Sequence, residues 1–300
     1  MICDTIAPAV AAGALALVAL IGLGWQWPRV RGTTLAAAWW WSVGCVVTIA
    51  TIEVAAALGG DQSGAWIGPA RFAAAMTALC PAMAVLGAKR PQDRAWQFVV
   101  LTLLAVLSMP SLEYVFLGDM SEIHPARIAF LAILIAIATL NGLATRYWPS
   151  SLLTCVAQVA LIAPHLTFSF AWLPGAWGPL AGLALLAAAW DLIDLDVPRS
   201  LPAAAPLDRV WLDFRDAYGA VWALRVMQRI NASVVMYDWP VTLSWCGFIS
   251  RTEGTSVESM PPAVEDSLRT LLRRFVSQVW IDARLDGVDR KSRVHQPLVD

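Results

Sequence analysis

The feature that most constrains this chain is a series of long apolar runs in its first two thirds. A helix needs about 20 residues to cross the hydrocarbon core of a bilayer, and seven runs have about that length. They are built from Ala, Leu, Val, Ile and Gly without the alternation of a β-barrel strand, so helices are predicted. The predicted spans cover residues 6–27, 34–58, 67–88, 95–117, 127–147, 151–172 and 174–193.

The composition agrees with a membrane protein and argues against several other classes. The 300 residues are 58% hydrophobic and 14% charged, whereas soluble domains carry about 25% charged residues. A net charge of -1 gives no basic surface for a nucleic acid. The five cysteines are scattered without a CxxC pair, so neither a disulfide framework nor a zinc ribbon is predicted. The expected partner is the lipid bilayer, and no nucleic acid is expected.

Charge density marks a domain boundary near residue 197. Residues 1–200 hold 9 Lys and Arg and 10 Asp and Glu, and the shorter remainder holds 12 of each. We therefore predict a seven-helix transmembrane domain at 1–196, a proline-rich linker at 197–206, a cytoplasmic tail at 207–287 and a disordered C-terminus at 288–300. The predicted fold class is an all-α polytopic membrane bundle with a small α+β tail.

The distribution of positive charge predicts the orientation. The first run has no basic leader and is followed by Arg29 and Arg31, so it is read as a membrane helix rather than a cleaved signal peptide. Later loops alternate between loops without Lys or Arg, such as 59–66, and basic loops, such as the one with Lys89 and Arg90. By the positive-inside rule, the N-terminus lies outside and the C-terminus lies in the cytoplasm. The predicted location is a bacterial inner membrane.

Four ionisable residues recur at one predicted depth near the outer face: Glu53, Arg71, Glu113 and His165. Ionisable groups inside a bilayer are expensive and suggest function. An outward cavity could use a carboxylate as proton carrier or as general base. The simpler interpretation is that Glu53 and Arg71 form a structural ion pair between neighbouring helices.

A second candidate group lies in the predicted outer loop and contains Asp119, Glu122 and His124. His124 and His165 with Glu113 have the ligand types of a metal site, but we predict no metal. The sequence also lacks a Walker loop, an HExxH motif, a GxSxG motif and a haem-attachment motif, so no cofactor is predicted.

Small residues and prolines modulate the predicted helices. Pro81, Pro110 and Pro164 lie inside spans and remove backbone donors, which favours kinks. Gly178 and Gly182 form a GxxxG step that allows close helix approach, either within the bundle or between two copies of the chain.

The tail is predicted to be a helix–strand–helix unit. A helix at 207–230 is followed by an alternating strand at 239–246, a polar loop at 250–260 and a helix at 261–285. A single strand needs a partner, which could be 231–236, another copy or another protein. The predicted interaction surface is aromatic and consists of Trp211, Trp222, Trp239 and Trp245.

Three short segments carry a resemblance to a known family. Residues 87–91 (GAKRP), 95–97 (AWQ) and 238–241 (DWPV) resemble an uncharacterised family of bacterial multi-pass membrane proteins. The resemblance implies a multi-pass membrane fold, and no activity, cofactor or site is attached to that family.

Three function classes follow from these patterns. The leading one is a membrane scaffold or assembly protein whose tail binds a partner protein. The main alternative is a small-solute or proton-coupled transporter that uses the outer polar residues. The third is a membrane-embedded enzyme, which needs several groups converging on one point.

Overall fold

A computed structural model describes residues 2–59, 64–117, 124–165, 177–194, 206–251 and 261–285, most of which are helical. The chain divides into two compact units, Met1–Val197 and Pro198–Asp300. The first unit is built from apolar helices, and the second combines helices with a small sheet. The predicted C-terminal disorder at 288–300 and most of the predicted linker lie outside the described residues.

The described part of the first unit contains nine helices and two short 3₁₀ turns. The turns are Arg90–Gln92 and Ala163–His165. The helices are α1 Ile2–Val30, α2 Ala36–Gly59, α3 Gly64–Thr77, α4 Cys80–Leu86, α5 Asp93–Leu107, α6 Met109–Leu117, α7 Pro125–Leu143, α8 Trp148–Ile162 and α9 Trp177–Asp194.

Four of these segments are long and apolar enough to cross a membrane. They are Ala7–Val30, Ala36–Gly59, Trp66–Leu86 and Pro125–Leu143, with lengths of 24, 24, 21 and 19 residues. The bent pair α5 and α6 makes a fifth if it forms a single span. Helices α8 and α9 occupy the sixth and seventh predicted spans and are shorter, with 15 and 18 residues. The prediction of several apolar helices long enough to cross a membrane is confirmed, and the number seven stays a prediction.

Each of the three span prolines lies at an interruption of a helix. Pro81 is in the first turn of α4, directly after the break that follows Thr77. Pro110 follows the junction of α5 and α6, whose axes differ by 51°. Pro164 lies in the 3₁₀ turn that ends α8. Because proline has no N–H, each removes one helical hydrogen bond at these positions, as the sequence predicted.

The core of the first unit is formed where α2 packs on α1, α3 and α4, and where α8 and α9 pack on each other. Large side chains that are fully buried there include Leu23, Ile49, Phe72, Met76 and Leu183. The side chains on the outward faces are also apolar, as expected for helices surrounded by lipid.

The second unit begins with a long helix, α10 Pro206–Tyr237. It contains one non-helical residue, Gly219, with φ of 79°, a conformation that favours glycine. Two strands follow, β1 Val241–Ser244 and β2 Gly247–Ser250, and then α11 Pro262–Leu272 and α12 Gln278–Leu285. The predicted final helix at 261–285 is therefore two helices, interrupted after Leu272.

The strand's partner is the main correction in this unit. β1 pairs antiparallel with β2, with Val241 opposite Ser250 and Ser244 opposite Gly247. The predicted strand at 239–246 therefore ends at a two-residue turn and forms a hairpin within the chain. Residues 231–236 contribute through Asn231, whose side-chain amide donates to Leu243 O and accepts from Leu243 N, both at 2.9 Å. The tail is thus a helix, a hairpin and two helices.

Candidate functional site

The Glu53–Arg71 pair lies between α2 and α3. Arg71 Nε donates to Glu53 Oε1 at 2.7 Å, and Arg71 Nη2 donates to Oε2 at 2.6 Å. Such a two-point contact is the strongest geometry for an ion pair. Glu53 is 4% exposed, so its charge depends on this partner. The predicted pairing is confirmed, and the contact joins two helices.

Glu113 lies on α6 and has its own arginine. Arg127 Nη2, near the start of α7, lies 3.3 Å from Glu113 Oε1. Two residues earlier, the buried hydroxyl of Ser111 donates to Pro69 O on α3 at 2.6 Å. Together these contacts connect α3, α6 and α7.

His165 is brought to the same region by the end of α8. Its ring meets the ring of Phe72 edge to face, with centroids 5.4 Å apart and planes at 77°. Arg71 and Phe72 are neighbours on α3. This helix therefore contacts Glu53 through Arg71 and His165 through Phe72. We call Glu53, Arg71, Glu113, Arg127 and His165 the outer polar layer, after the side of the membrane on which the sequence predicts them.

The second predicted group is only partly described. His124 is exposed and caps α7, where its Nδ1 accepts from Ala126 N at 3.2 Å. This bond gives His124 a structural role at the helix start. Asp119 and Glu122 lie outside the described residues. Among the residues that are described, no group of three His, Cys, Asp or Glu side chains is arranged to hold a metal.

The outer polar layer joins helices by paired charges. In the described residues, each of its two carboxylates faces a guanidinium. One pair joins α2 to α3, and the other joins α6 to α7. Paired and hydrogen-bonded charges are the form in which a membrane interior tolerates ionic groups. Chemically, the layer can hold helices in register and neutralise its own charge.

A further buried polar contact was not predicted from the sequence. Gln158 on α8 is 1% exposed, and its Nε2 donates to Ala78 O at 3.0 Å, at the break between α3 and α4. Its Oε1 has no hydrogen-bond partner among the described residues. Two sequence features could have indicated this contact. One is the Gln within an apolar span, and the other is Pro81, which interrupts the span that Gln158 contacts.

The GxxxG step of α9 faces α8 within the chain. A Cβ on Gly182 would come within 2.5 Å of the Leu161 side chain, and one on Gly178 within 3.3 Å of Pro164. The two glycines therefore allow α8 and α9 to approach closely. The first of the two predicted uses, packing inside the bundle, is the one this geometry provides.

The predicted aromatic surface of the tail is mostly its core. Trp211, Trp222 and Trp239 are buried, and only Trp245 is partly exposed. Trp211 Nε1 donates to Ser244 O at 3.0 Å, and the ring of Trp222 packs on Phe275 at 4.9 Å. The expectation of an exposed tryptophan surface was wrong, because α10, the hairpin and α11 cover these rings.

The exposed apolar residues of the tail are different ones. Val235, Met236 and Tyr237 at the end of α10 are exposed, as are Ile249 on β2 and Val279 on α12. Val279 lies in α12, beyond the interruption that follows Leu272, and is 69% exposed. These side chains, rather than the buried tryptophans, form the exposed apolar surface of the described part of the tail.

Comparisons with known proteins give no match: no family model, no curated protein and no solved structure is similar to this chain. The resemblance to a family of bacterial multi-pass membrane proteins stays a prediction. The fold defines a helical protein whose described residues include four or five spans long and apolar enough to cross a membrane, together with a small folded tail.

Proposed function

We propose that this protein is a membrane scaffold whose tail binds a partner protein. In this proposal, seven helices cross the bilayer with the N-terminus outside, and the tail lies in the cytoplasm. The observation that carries the proposal is how the charges of the membrane unit are used. The Glu53–Arg71 and Glu113–Arg127 pairs join helices, whereas the tail carries exposed Ile249 and Val279.

The partner surface is proposed at Ile249 and Val279 for a physical reason. Both are large apolar side chains, 56% and 69% exposed, on elements otherwise packed into the tail core. Burying such side chains against another protein contributes roughly 25 cal/mol for each Å² of apolar surface. In a typical interface a few well-packed, desolvated residues carry most of the binding energy.

Crosslinking from Val279 tests the proposal. Val279→p-benzoylphenylalanine in the full-length protein should give one defined protein adduct in cells, identified by mass spectrometry. Val279→Asp should then abolish co-purification of that protein while the membrane level of the chain stays unchanged. Thr270→Asp, at an exposed position of α11, is the matched control and should retain it. Absence of a defined adduct, or equal loss in both variants, would overturn the scaffold proposal.

The proposed orientation has a direct test in the native cysteine Cys246, which is exposed in the tail. An impermeant thiol reagent should label it in inverted membrane vesicles and leave it unlabelled in intact spheroplasts. Labelling in spheroplasts would place the tail outside and contradict the proposed orientation.

A transporter is the second candidate, and one observation favours it. The helix break between α3 and α4 lies beside Gln158 and its unpaired buried oxygen, and transporters place their solute sites at interrupted helices. Thr77→Cys, in a background without the five native cysteines, would test it. Rapid labelling from the outer side would establish a water path and favour transport. Full protection in the folded protein would indicate a sealed break.

A further inference from the structure

The second half of α10, residues 220–237, has two sharply different faces. Trp222, Val226, Ile230 and Val234 recur every four residues and are buried in the tail. This spacing places them on one side of the helix. The rest of the segment is free to present its opposite side to solvent.

The opposite side combines positive charge with large apolar side chains. Arg225 and Arg229 lie one turn apart and are exposed. Val235 and Met236, 76% and 73% exposed, continue the same side toward the end of the helix. We call this the basic face of α10, and it also includes Leu224, Gln228 and Ala232.

Charge on this face is of one sign. Residues 220–237 contain no Asp or Glu, and the exposed Asp238 that follows pairs with Arg251 at 3.8 Å. Two arginines at i and i+4 repel each other, and the guanidinium of Arg225 lies over the ring of Trp222, 5.1 Å from its centroid. Their arrangement is complementary to an anionic surface outside the tail.

We propose that the basic face of α10 docks on anionic phospholipid headgroups. Arg225 and Arg229 would contact phosphate oxygens, and Val235 and Met236 would enter the interfacial region. Arginines beside apolar side chains on one helical face are the pattern of helices that lie on membrane surfaces. Only residues 195–205 separate α9 from α10, so α10 stays close to the bilayer that α9 is proposed to cross. An anionic lipid surface is therefore always within reach of the basic face.

Crosslinking from the centre of the face tests this docking. Gln228→p-benzoylphenylalanine is introduced into the full-length protein in nanodiscs of phosphatidylcholine with or without phosphatidylglycerol. Lipid adducts should form when phosphatidylglycerol is present and largely disappear in its absence. Arg225→Glu with Arg229→Glu should lower the adduct yield at least about tenfold, since each basic residue near an anionic leaflet contributes roughly one factor of five.

Two controls separate docking from a general charge effect. Arg273→Glu with Arg274→Glu, at exposed positions after α11, changes net charge equally and should leave the yield unchanged. Arg225→Lys with Arg229→Lys should keep most of it. Equal loss in both glutamate variants, or lipid adducts that ignore phosphatidylglycerol, would overturn the proposal.

A protein adduct from position 228 in cells, with no lipid adduct, would also overturn it in favour of a protein-binding face. This inference does not depend on the scaffold proposal, whose crosslinks start from Val279 on α12. Loss of one result leaves the other interpretable.

Discussion

The indole ring of Trp96 occupies the space that a side chain on residue 87 would need. A Cβ placed on Gly87 would lie 2.0 Å from the Trp96 ring, and the ring is held by a hydrogen bond from Nε1 to Met83 O of 2.8 Å. Two of the three segments that carry the family resemblance, 87–91 and 95–97, thus contain residues in direct contact.

Gly87→Ala should therefore destabilise the membrane unit. The added methyl group forces the indole away and strains its hydrogen bond, and overpacking of this kind costs about 1–3 kcal/mol. Thermal unfolding of the purified protein in detergent measures the effect. Gly13→Ala, where a Cβ meets nothing within 4 Å, is the control and should not lower the midpoint. Equal midpoints for both variants would contradict the contact.

Breaking the Glu53–Arg71 pair from one side should cost more than removing both charges. Arg71→Met leaves the buried Glu53 without its partner, a loss of about 3–5 kcal/mol. Glu53→Leu combined with Arg71→Met removes that uncompensated charge and should recover part of the stability. Thermal unfolding of the two variants and the wild type gives the comparison.

The more exposed pair of the layer provides the control for that experiment. The Arg127 and Glu113 side chains are 40% and 30% exposed and lie 3.3 Å apart, so Glu113 depends less on its arginine than the 4% exposed Glu53 does. Arg127→Met should therefore cost less stability than Arg71→Met. If the two variants lose equal stability, the two-point contact of Glu53 and Arg71 does not hold α2 and α3 together more strongly than the second pair holds α6 and α7.

Asn231 should be essential for the hairpin of the tail. Its side chain makes two hydrogen bonds to the backbone of Leu243, and leaving partly buried backbone groups unpaired costs about 1–3 kcal/mol. Asn231→Ala should accelerate hydrogen exchange across β1 in the full-length protein. Ser233→Ala, which removes only a bond to Arg229 O in the same helix, should leave exchange in β1 unchanged.

The contact between α11 and α12 should weaken in acid. A hydrogen bond from Arg269 lowers the pKa of Asp282 below its ordinary value of 3.8. A carboxyl whose pKa is lowered by folding stabilises the folded state at pH above 3.8, and this contribution is lost as the pH falls through the lowered value.

Asp282→Asn measures that contribution. Faster hydrogen exchange of α12 in the variant than in the wild type should be evident at neutral pH and should vanish once the pH falls below the lowered pKa of Asp282, because the carboxyl of the folded wild type is then also uncharged. Asp266→Asn, at an exposed position of α11, should show no difference at any pH. A difference for Asp282→Asn that persists in acid would mean that the charge is not the cause.

Some contacts and helix interruptions could be predicted from the sequence, because they depend on a single residue type or on helices joined by a short loop. Glu53 and Arg71 lie on helices joined by a short loop, so equal depth sufficed to predict their pairing. Pro81 and Pro110 lack backbone donors wherever they are placed, and both helices are interrupted there. The contact between Gln158 and Ala78 joins residues 80 positions apart, and no local pattern specifies it.

In the tail, the same distinction explains the errors. Trp211, Trp222 and Trp239 were expected on the surface because α10 and the strand were considered separately. The hairpin and α11 bury these rings, and that packing depends on contacts such as the one between Trp211 and Ser244, 33 residues apart. The hairpin partner was missed because 247–250 (GFIS) is too short for alternation to identify a strand.

Sequence by itself determined that this is a helical membrane protein, because long apolar runs leave the backbone no other way to satisfy its hydrogen bonds in lipid. It also predicted the interruptions at Pro81, Pro110 and Pro164, whereas Pro28 and Pro69 lie inside helices that continue through them. Tertiary structure alone decided which tail residues face solvent, and which helices the outer polar layer joins. Burial and ion pairing depend on distant segments meeting in space, and one-dimensional periodicity carries no information about which segments meet.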